Sequence, residues 1–154
     1  MSIEKAKAYL EGKGFDLGRI TEFDTSSATV ELAAQALGCE AARIAKSITF
    51  SVNGGAVLIV AAGDTKIDNA KFKAFFGVKA KMLTTDEVAE MIGHTVGGVC
   101  PFGVNDGVKV YLDESLKRFE AVYPACGSLN SCVKLSLSEL EELSGSLGWI
   151  DVSK

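Results

Sequence analysis

Lys46-Ser47-Ile48-Thr49-Phe50-Ser51-Val52-Asn53-Gly54-Gly55-Ala56-Val57-Leu58-Ile59-Val60-Ala61-Ala62 reads as a hairpin whose second arm lies in the middle of a sheet. Along 46–52 the residues alternate, with Lys46, Ile48, Phe50 and Val52 on one side and Ser47, Thr49 and Ser51 on the other. Asn53-Gly54-Gly55 supplies residues that accept the positive φ of a tight hairpin turn. The stretch 56–62 is apolar on both faces, which fits a strand covered on both sides. The sheet is therefore buried.

Working outward, 3–13 reads as a helix opened by Ser2 and closed by Gly14. A second helix spans 29–37, with Ser27 or Thr29 as cap and Gly38 after it, and a short turn follows at 40–44. Asp68 caps a helix through Phe76 that offers Ile67, Phe72, Phe75 and Phe76 to the core. Strands are expected at 78–83, 108–112, 120–123 and 132–135. Thr84-Thr85-Asp86-Glu87 is a capping-box start for a helix to Ile92, which Gly93 ends, and Ser136-x-x-Glu139 opens a last helix through Leu143. Hairpins and strand-helix-strand units are mixed, so a mixed, α+β-like α/β fold suits the chain better than a doubly wound sheet.

The 154 residues fit one domain spanning 1–154. Hydrophobic residues make up 47% and charged residues 23%, which excludes low-hydrophobicity disorder. The longest apolar run, 56–62, is far short of the ~20 residues a membrane-spanning helix needs. The N-terminal residues mix charge with apolar side chains and show no signal-peptide core, so a cytoplasmic protein is expected. A net charge of −4 argues against a bulk polyphosphate binder. Four cysteines and one histidine without a close cysteine pair argue against a zinc site, and neither a metal nor a cofactor is expected.

Three features carry chemistry. Lys46 shares its side of the strand with apolar residues, and an ammonium placed there is either paired, snorkelling, or facing a cavity with an anionic or carbonyl-bearing ligand. Gly97-Gly98-Val99-Cys100-Pro101-Phe102-Gly103 cannot be regular structure, and its exposed amides suit a nest around an oxyanion or carbonyl. Pro124-Ala125-Cys126-Gly127-Ser128-Leu129-Asn130-Ser131 is a second small, polar loop. His94 with Cys100 raises a thiol-nucleophile reading, in which imidazole activates the thiol. Lys66, Lys71, Lys73, Lys79 and Lys81, against the single acid Asp68, form the one basic island, either a solvated face or a site for a few phosphates.

The ordered set resembles the YbaK/prolyl-tRNA synthetase-associated domain family. It comprises an alanine-rich helix ending in Leu37-Gly38, then Ile44-Ala45-Lys46-Ser47-Ile48, then the 97–103 loop, then Val110-Tyr111-Leu112-Asp113-Glu114-Ser115-Leu116. The likeness runs from about Thr25 to Leu143. It implies a curved mixed sheet with flanking helices and a pocket for the aminoacyl-adenosine end of tRNA. The implied activity is hydrolysis of mischarged aminoacyl-tRNA, here as a freestanding protein, with an aminoacyl-tRNA synthetase as a candidate second partner. The family's functional lysine falls on Lys46 and its G-x-x-x-P loop on Gly97 to Pro101. Two departures stand out: Cys100 replaces a common serine, and Ser47 replaces the asparagine that follows the lysine in alanine-specific members, which speaks against alanine.

The resemblance leads to a set of expected roles. Lys46 is catalytic, holding the terminal phosphate or ester and stabilising developing negative charge. Gly97, Gly98, Val99, Cys100, Pro101, Phe102, Gly103, Gly127, Ser128 and Asn130 bind substrate, with Cys100, Phe102, Ser128 and Asn130 around the amino acid. Lys66, Lys71, Lys73, Lys79 and Lys81 meet tRNA phosphates. No general base is apparent, so a substrate hydroxyl or thiol assists attack. The competing readings are a non-catalytic binder of the tRNA acceptor end, a nucleotide or a protein partner, and a Cys100-dependent thiol enzyme acting on a small metabolite.

Overall fold

The computed structural model describes residues 2–154. In chain order the elements are α1 (Ser2–Gly12), β1 (Ile20–Glu22), α2 (Val30–Leu37), β2 (Ile44–Val52), β3 (Gly55–Ala62), α3 (Asn69–Phe76), α4 (Thr85–Glu87), β4 (Lys109–Asp113), β5 (Ala121–Pro124), β6 (Ser131–Val133), β7 (Leu135–Ser136), α5 (Leu137–Ser144) and β8 (Trp149–Ile150). The cap expected at Ser2 rests on a side chain outside the described residues.

The quoted hairpin sets the architecture. β2 and β3 pair antiparallel from Ala45↔Ala62 to Val52↔Gly55, and the turn has Asn53 at φ 50° and Gly54 at φ 81°. Both values suit a turn whose twist matches that of its strands. β3 is central, as its apolar faces require: β4 lies parallel on its other side. The six-stranded order is β7-β5-β2-β3-β4-β8, with parallel and antiparallel pairs mixed, and β1 and β6 form a separate ribbon. Leu58 and Val60 face one core with Leu112, Leu116 and Phe102, while Val57 and Ile59 face a second with Phe50, Phe72 and Val152. Burying a side chain such as Phe72 contributes about 2–3 kcal/mol.

Helix ends follow their side chains. Thr29 Oγ1 accepts from Leu32 N at 3.1 Å and Gly38 adopts the left-handed conformation that ends α2. Asp68 caps α3, and the Thr84/Glu87 and Ser136/Glu139 capping boxes both form. The helix expected to Ile92 is α4 followed by a wider turn over Val88–Ile92.

Some expectations are corrected. The segment 78–83 is no strand: between the Gly77 helix stop and the Thr84 cap it makes only the isolated bridge Phe50↔Met82. Phe75, expected in the core, is 51% exposed, because α3 turns Phe72 and Phe76 inward instead. The expected strand 132–135 is split between β6 and β7, which belong to different sheets. The short strands β1 and β8 carry no recognisable pattern in sequence and were not expected. Among the described residues no helix is long and apolar enough to cross a membrane.

Candidate active site

A break in the outer edge of β2 makes the site. The β2–β5 ladder stops at Ala45↔Pro124, and edge contact resumes only where Ser51 N donates to Lys81 O at 2.8 Å and Leu83 N donates to Thr49 O at 3.2 Å. The interval opens on a cavity of about 350 Å³. Lys46, Ser47 and Ile48 form its floor, the start of α2 one wall, and Val96, Gly97 and Val99 another.

Lys46 is half-buried at this cavity, and its ammonium donates to the carbonyl of Thr65 in the loop after β3. Burial pushes the ammonium below the ordinary lysine range, while the charges of Asp64 and Glu31 oppose that shift. Asp64 is itself held by Arg118 through bonds of 3.0 and 2.5 Å, and the guanidinium keeps its carboxyl below the usual range. The loop closes tightly because residue 63 is glycine: a Cβ there would meet Val30 Cγ1 at 2.8 Å and the Ala41 carbonyl closer still.

The two sequence-predicted loops come together. A Cβ on Gly98 would lie 2.6 Å from the carbonyl carbon of Gly127 and from Ser128 N, so backbone packs on backbone. Gly97 has φ 96°, a conformation that favours glycine, and its neighbours are Ala28 and Leu129. Gly97 is on the cavity wall, and the Leu129 side chain fills the space that a Cβ there would take.

The model of the aminoacyl-tRNA editing domain family matches residues 24–143, most of the chain. The chain belongs to that family. The editing domain is 58% identical over 136 residues to the uncharacterized protein YwhH of Bacillus subtilis, covering 88% of this chain and 87% of that one. It is 34% identical over 110 residues to the proline–tRNA ligase of Halalkalibacterium halodurans, covering 70% of this chain and spanning only 19% of the ligase. A crystal structure of a candidate trans-editing enzyme for prolyl tRNA synthetase superposes with a TM-score of 0.88 at 32% identity, covering 99% of this chain and 97% of that one. The curled mixed sheet of the editing domain is thus the fold of its neighbour.

Other expected site residues of the editing domain lie elsewhere. Cys100 and Phe102 are fully buried in the core with Leu58 and Leu112, which corrects their expected place on the cavity wall. His94 is buried too; its Nε2 donates to Phe102 O at 2.7 Å and sits 3.6 Å from Cys100 Sγ. Burial pushes the imidazole pKa down and the Cys100 thiol far up, so the pair is neutral core, not an activated thiolate. Pro101 is buried and Gly103, at φ 72°, turns the chain against Lys5. Ser128 and Asn130 brace their loop: Ser128 Oγ lies 2.7 Å from Ser131 Oγ, and Asn130 Nδ2 donates to Phe23 O at 2.8 Å.

The five island lysines are exposed, but Lys71 is engaged with Asp151 at 3.0 Å and Ser153 O at 2.8 Å. The sequence reading missed Ser27, Thr85, Val88 and Tyr123, all on the cavity wall. Only the spatial convergence of three separate segments on β2 reveals them. No group of three or more potential metal ligands occurs among the described residues.

Proposed function

We propose that this chain is a freestanding deacylase that hydrolyses the 3′ ester of mischarged aminoacyl-tRNA, acting in trans on tRNA released by a synthetase. The observation that carries this reading is Lys46, a half-buried ammonium set beside a cavity whose opposite edge is the glycine turn at 97. An aminoacyl ester is already activated, so modest catalysis suffices. Lys46 meets the ester or the terminal phosphate and stabilises the charge that develops on the carbonyl oxygen. The amides of Gly97 and Val99, both on the cavity wall, hold the same carbonyl, while that of Gly98 is engaged by Thr95 O at 3.0 Å. Water adds to the carbonyl carbon, the tetrahedral intermediate collapses, the C–O bond to the ribose breaks, and the leaving ribose oxygen takes the proton.

The cavity wall supplies hydroxyls and one ammonium, but no carboxylate or imidazole among the described residues. A ribose hydroxyl therefore orients the water or relays its proton. Lys66, Lys73, Lys79 and Lys81 are the groups we assign to acceptor-stem phosphates. The absence of a base on the wall also favours the second reading, a binder of the tRNA end that does not turn over.

A deacylation assay on a panel of mischarged tRNAs, with wild type and Lys46→Ala, decides between them. Release of amino acid by the wild type and its loss in the variant support the deacylase. Full activity in the variant removes Lys46 from the reaction. Lys46-dependent binding without release establishes the binder.

A further inference from the structure

One strand residue at the cavity lacks partners on two counts. Backbone groups alternate in direction along a strand, and the bonds at Thr49 O and Ser51 N show that odd-numbered residues of β2 turn theirs to the outer edge. Ser47 lies between the end of the β5 ladder at Ala45 and the bridge at Phe50, so its N–H and C=O face the open interval. Its hydroxyl is buried without a hydrogen-bond partner. Ser47 itself is on the cavity wall. An unmet hydroxyl and an unladdered peptide edge at one buried place cost free energy in the empty state, and a ligand that satisfies them recovers it.

We infer that Ser47 is the specificity-determining residue, and that the aminoacyl group enters the gap as a one-residue strand. In a hydrogen-bonded antiparallel pair, two facing residues exchange both bonds. The Ser47 N–H donates to the acyl carbonyl oxygen, and the substrate's α-ammonium donates to the Ser47 C=O. Lys46, the preceding residue, is then beside the ester. Facing residues of such a pair carry their side chains on the same face, so the substrate side chain lies against the Ser47 hydroxyl. The other β2 residues on that face, Ala45 and Thr49, are buried and line the same cavity on either side of Ser47. The site selects a short, hydroxyl-bearing amino acid, and prefers a seryl ester to an alanyl ester. A polar group left unpaired by the wrong substrate is what makes such a preference large.

This rests on the deacylase reading, and its test has one arm that does not. In the first arm, kcat/KM is compared for seryl- and alanyl-tRNA. Wild type prefers seryl by roughly tenfold or more, Ser47→Ala abolishes the preference, and Ser47→Thr keeps it. Equal rates in the wild type, or a preference that survives Ser47→Ala, overturn the inference while leaving the deacylase intact. In the second arm, 15N-labelled protein is titrated with an adenosine bearing a 3′-seryl amide, which cannot be hydrolysed as an ester. The Ser47 amide resonance shifts and gains exchange protection, and N-acetylation of the probe abolishes the effect. An unmoved Ser47 amide at millimolar probe overturns the inference even where no ester is cut.

Discussion

Asp113 accepts a 2.6 Å hydrogen bond from the Ser153 hydroxyl, and this bond ties the C-terminal residues to the end of β4. The same buried carboxylate accepts from Val152 N at 2.9 Å and from Ser115 N at 3.0 Å. Residues 152–154 then pair with 66–68 through Asp68 N to Val152 O at 2.8 Å and Lys154 N to Lys66 O at 2.9 Å. Thr65, whose carbonyl receives the Lys46 ammonium, is the next residue back along the chain.

Asp113→Asn should therefore weaken the fold and loosen the site together. Burial pushes the Asp113 carboxyl up, but the hydrogen bonds from Ser115, Ser153 and Val152 outweigh it and leave the pKa below the usual range. A depressed folded-state pKa gives stability that is present above the unfolded value near 4 and is lost as pH falls through the folded value. Near pH 7 the substitution should cost about 2–3 kcal/mol, since hydrogen bonds to a charged group are lost or weakened. Urea unfolding near pH 7 and near pH 3 checks this: the gap between wild type and variant should narrow in acid, and a gap independent of pH contradicts the account.

Lys46→Met should separate function from stability. The methionine fills similar volume without a desolvated charge, while Thr65 O loses a donor, so stability should stay within about 1 kcal/mol of wild type. Deacylation should be lost. In the wild type, kcat/KM should decline with rising pH below the ordinary lysine range, because burial lowers the pKa of the ammonium. The same depression makes the folded state bind fewer protons there than the unfolded state, so this group's contribution to stability rises with pH across that window. A pH–rate profile flat through the whole alkaline range would remove the ammonium from the mechanism.

What the sequence discloses and what it hides divide along local and non-local lines. The hairpin, its central second arm and the helix caps are set by neighbours in the chain, and Thr29, Asp68, Thr84 and Ser136 cap as their positions indicate. Lys46 was conspicuous because alternation placed a charge among apolar residues. Cys100 misled, because a thiol in a glycine loop looks the same in sequence whether it lines a cavity or fills a core. The break in the β2 edge was invisible, since it depends on where β5 ends and where residues 81–83 arrive. Ser47 owes its character to that break, so alternation alone read it as one polar residue among three.

The core placement of Cys100 predicts a silent thiol. Cys100→Ala should retain deacylation while losing about 1–2 kcal/mol of stability, the cost of a small buried truncation. Iodoacetamide should leave Cys100 unlabelled in the native protein and label it in urea, because the thiol is enclosed and burial raises its pKa. Mass spectrometry of labelled peptides reads this directly. Rapid native labelling that tracks loss of activity would restore the thiol-enzyme reading.

The net charge of −4 predicts how tRNA binds. Each phosphate neutralised contributes roughly 0.7–0.9 to the slope of log K against log salt. Lys71 is engaged by Asp151, which leaves Lys66, Lys73, Lys79 and Lys81 from the island, with Lys46 at the cavity. A protein acidic elsewhere gains little from the rest of the tRNA surface, so the slope should lie below that of six phosphate contacts. Lys73→Ala, Lys79→Ala and Lys81→Ala should each flatten it by about one contact, whereas Lys71→Ala should leave it unchanged. Fluorescence anisotropy of labelled tRNA across a salt series measures both. A steep slope, or one that falls with Lys71→Ala as much as with Lys73→Ala, would mean that tRNA displaces Asp151 and that the ion pair is a gate on the island, not a neutralised corner of it.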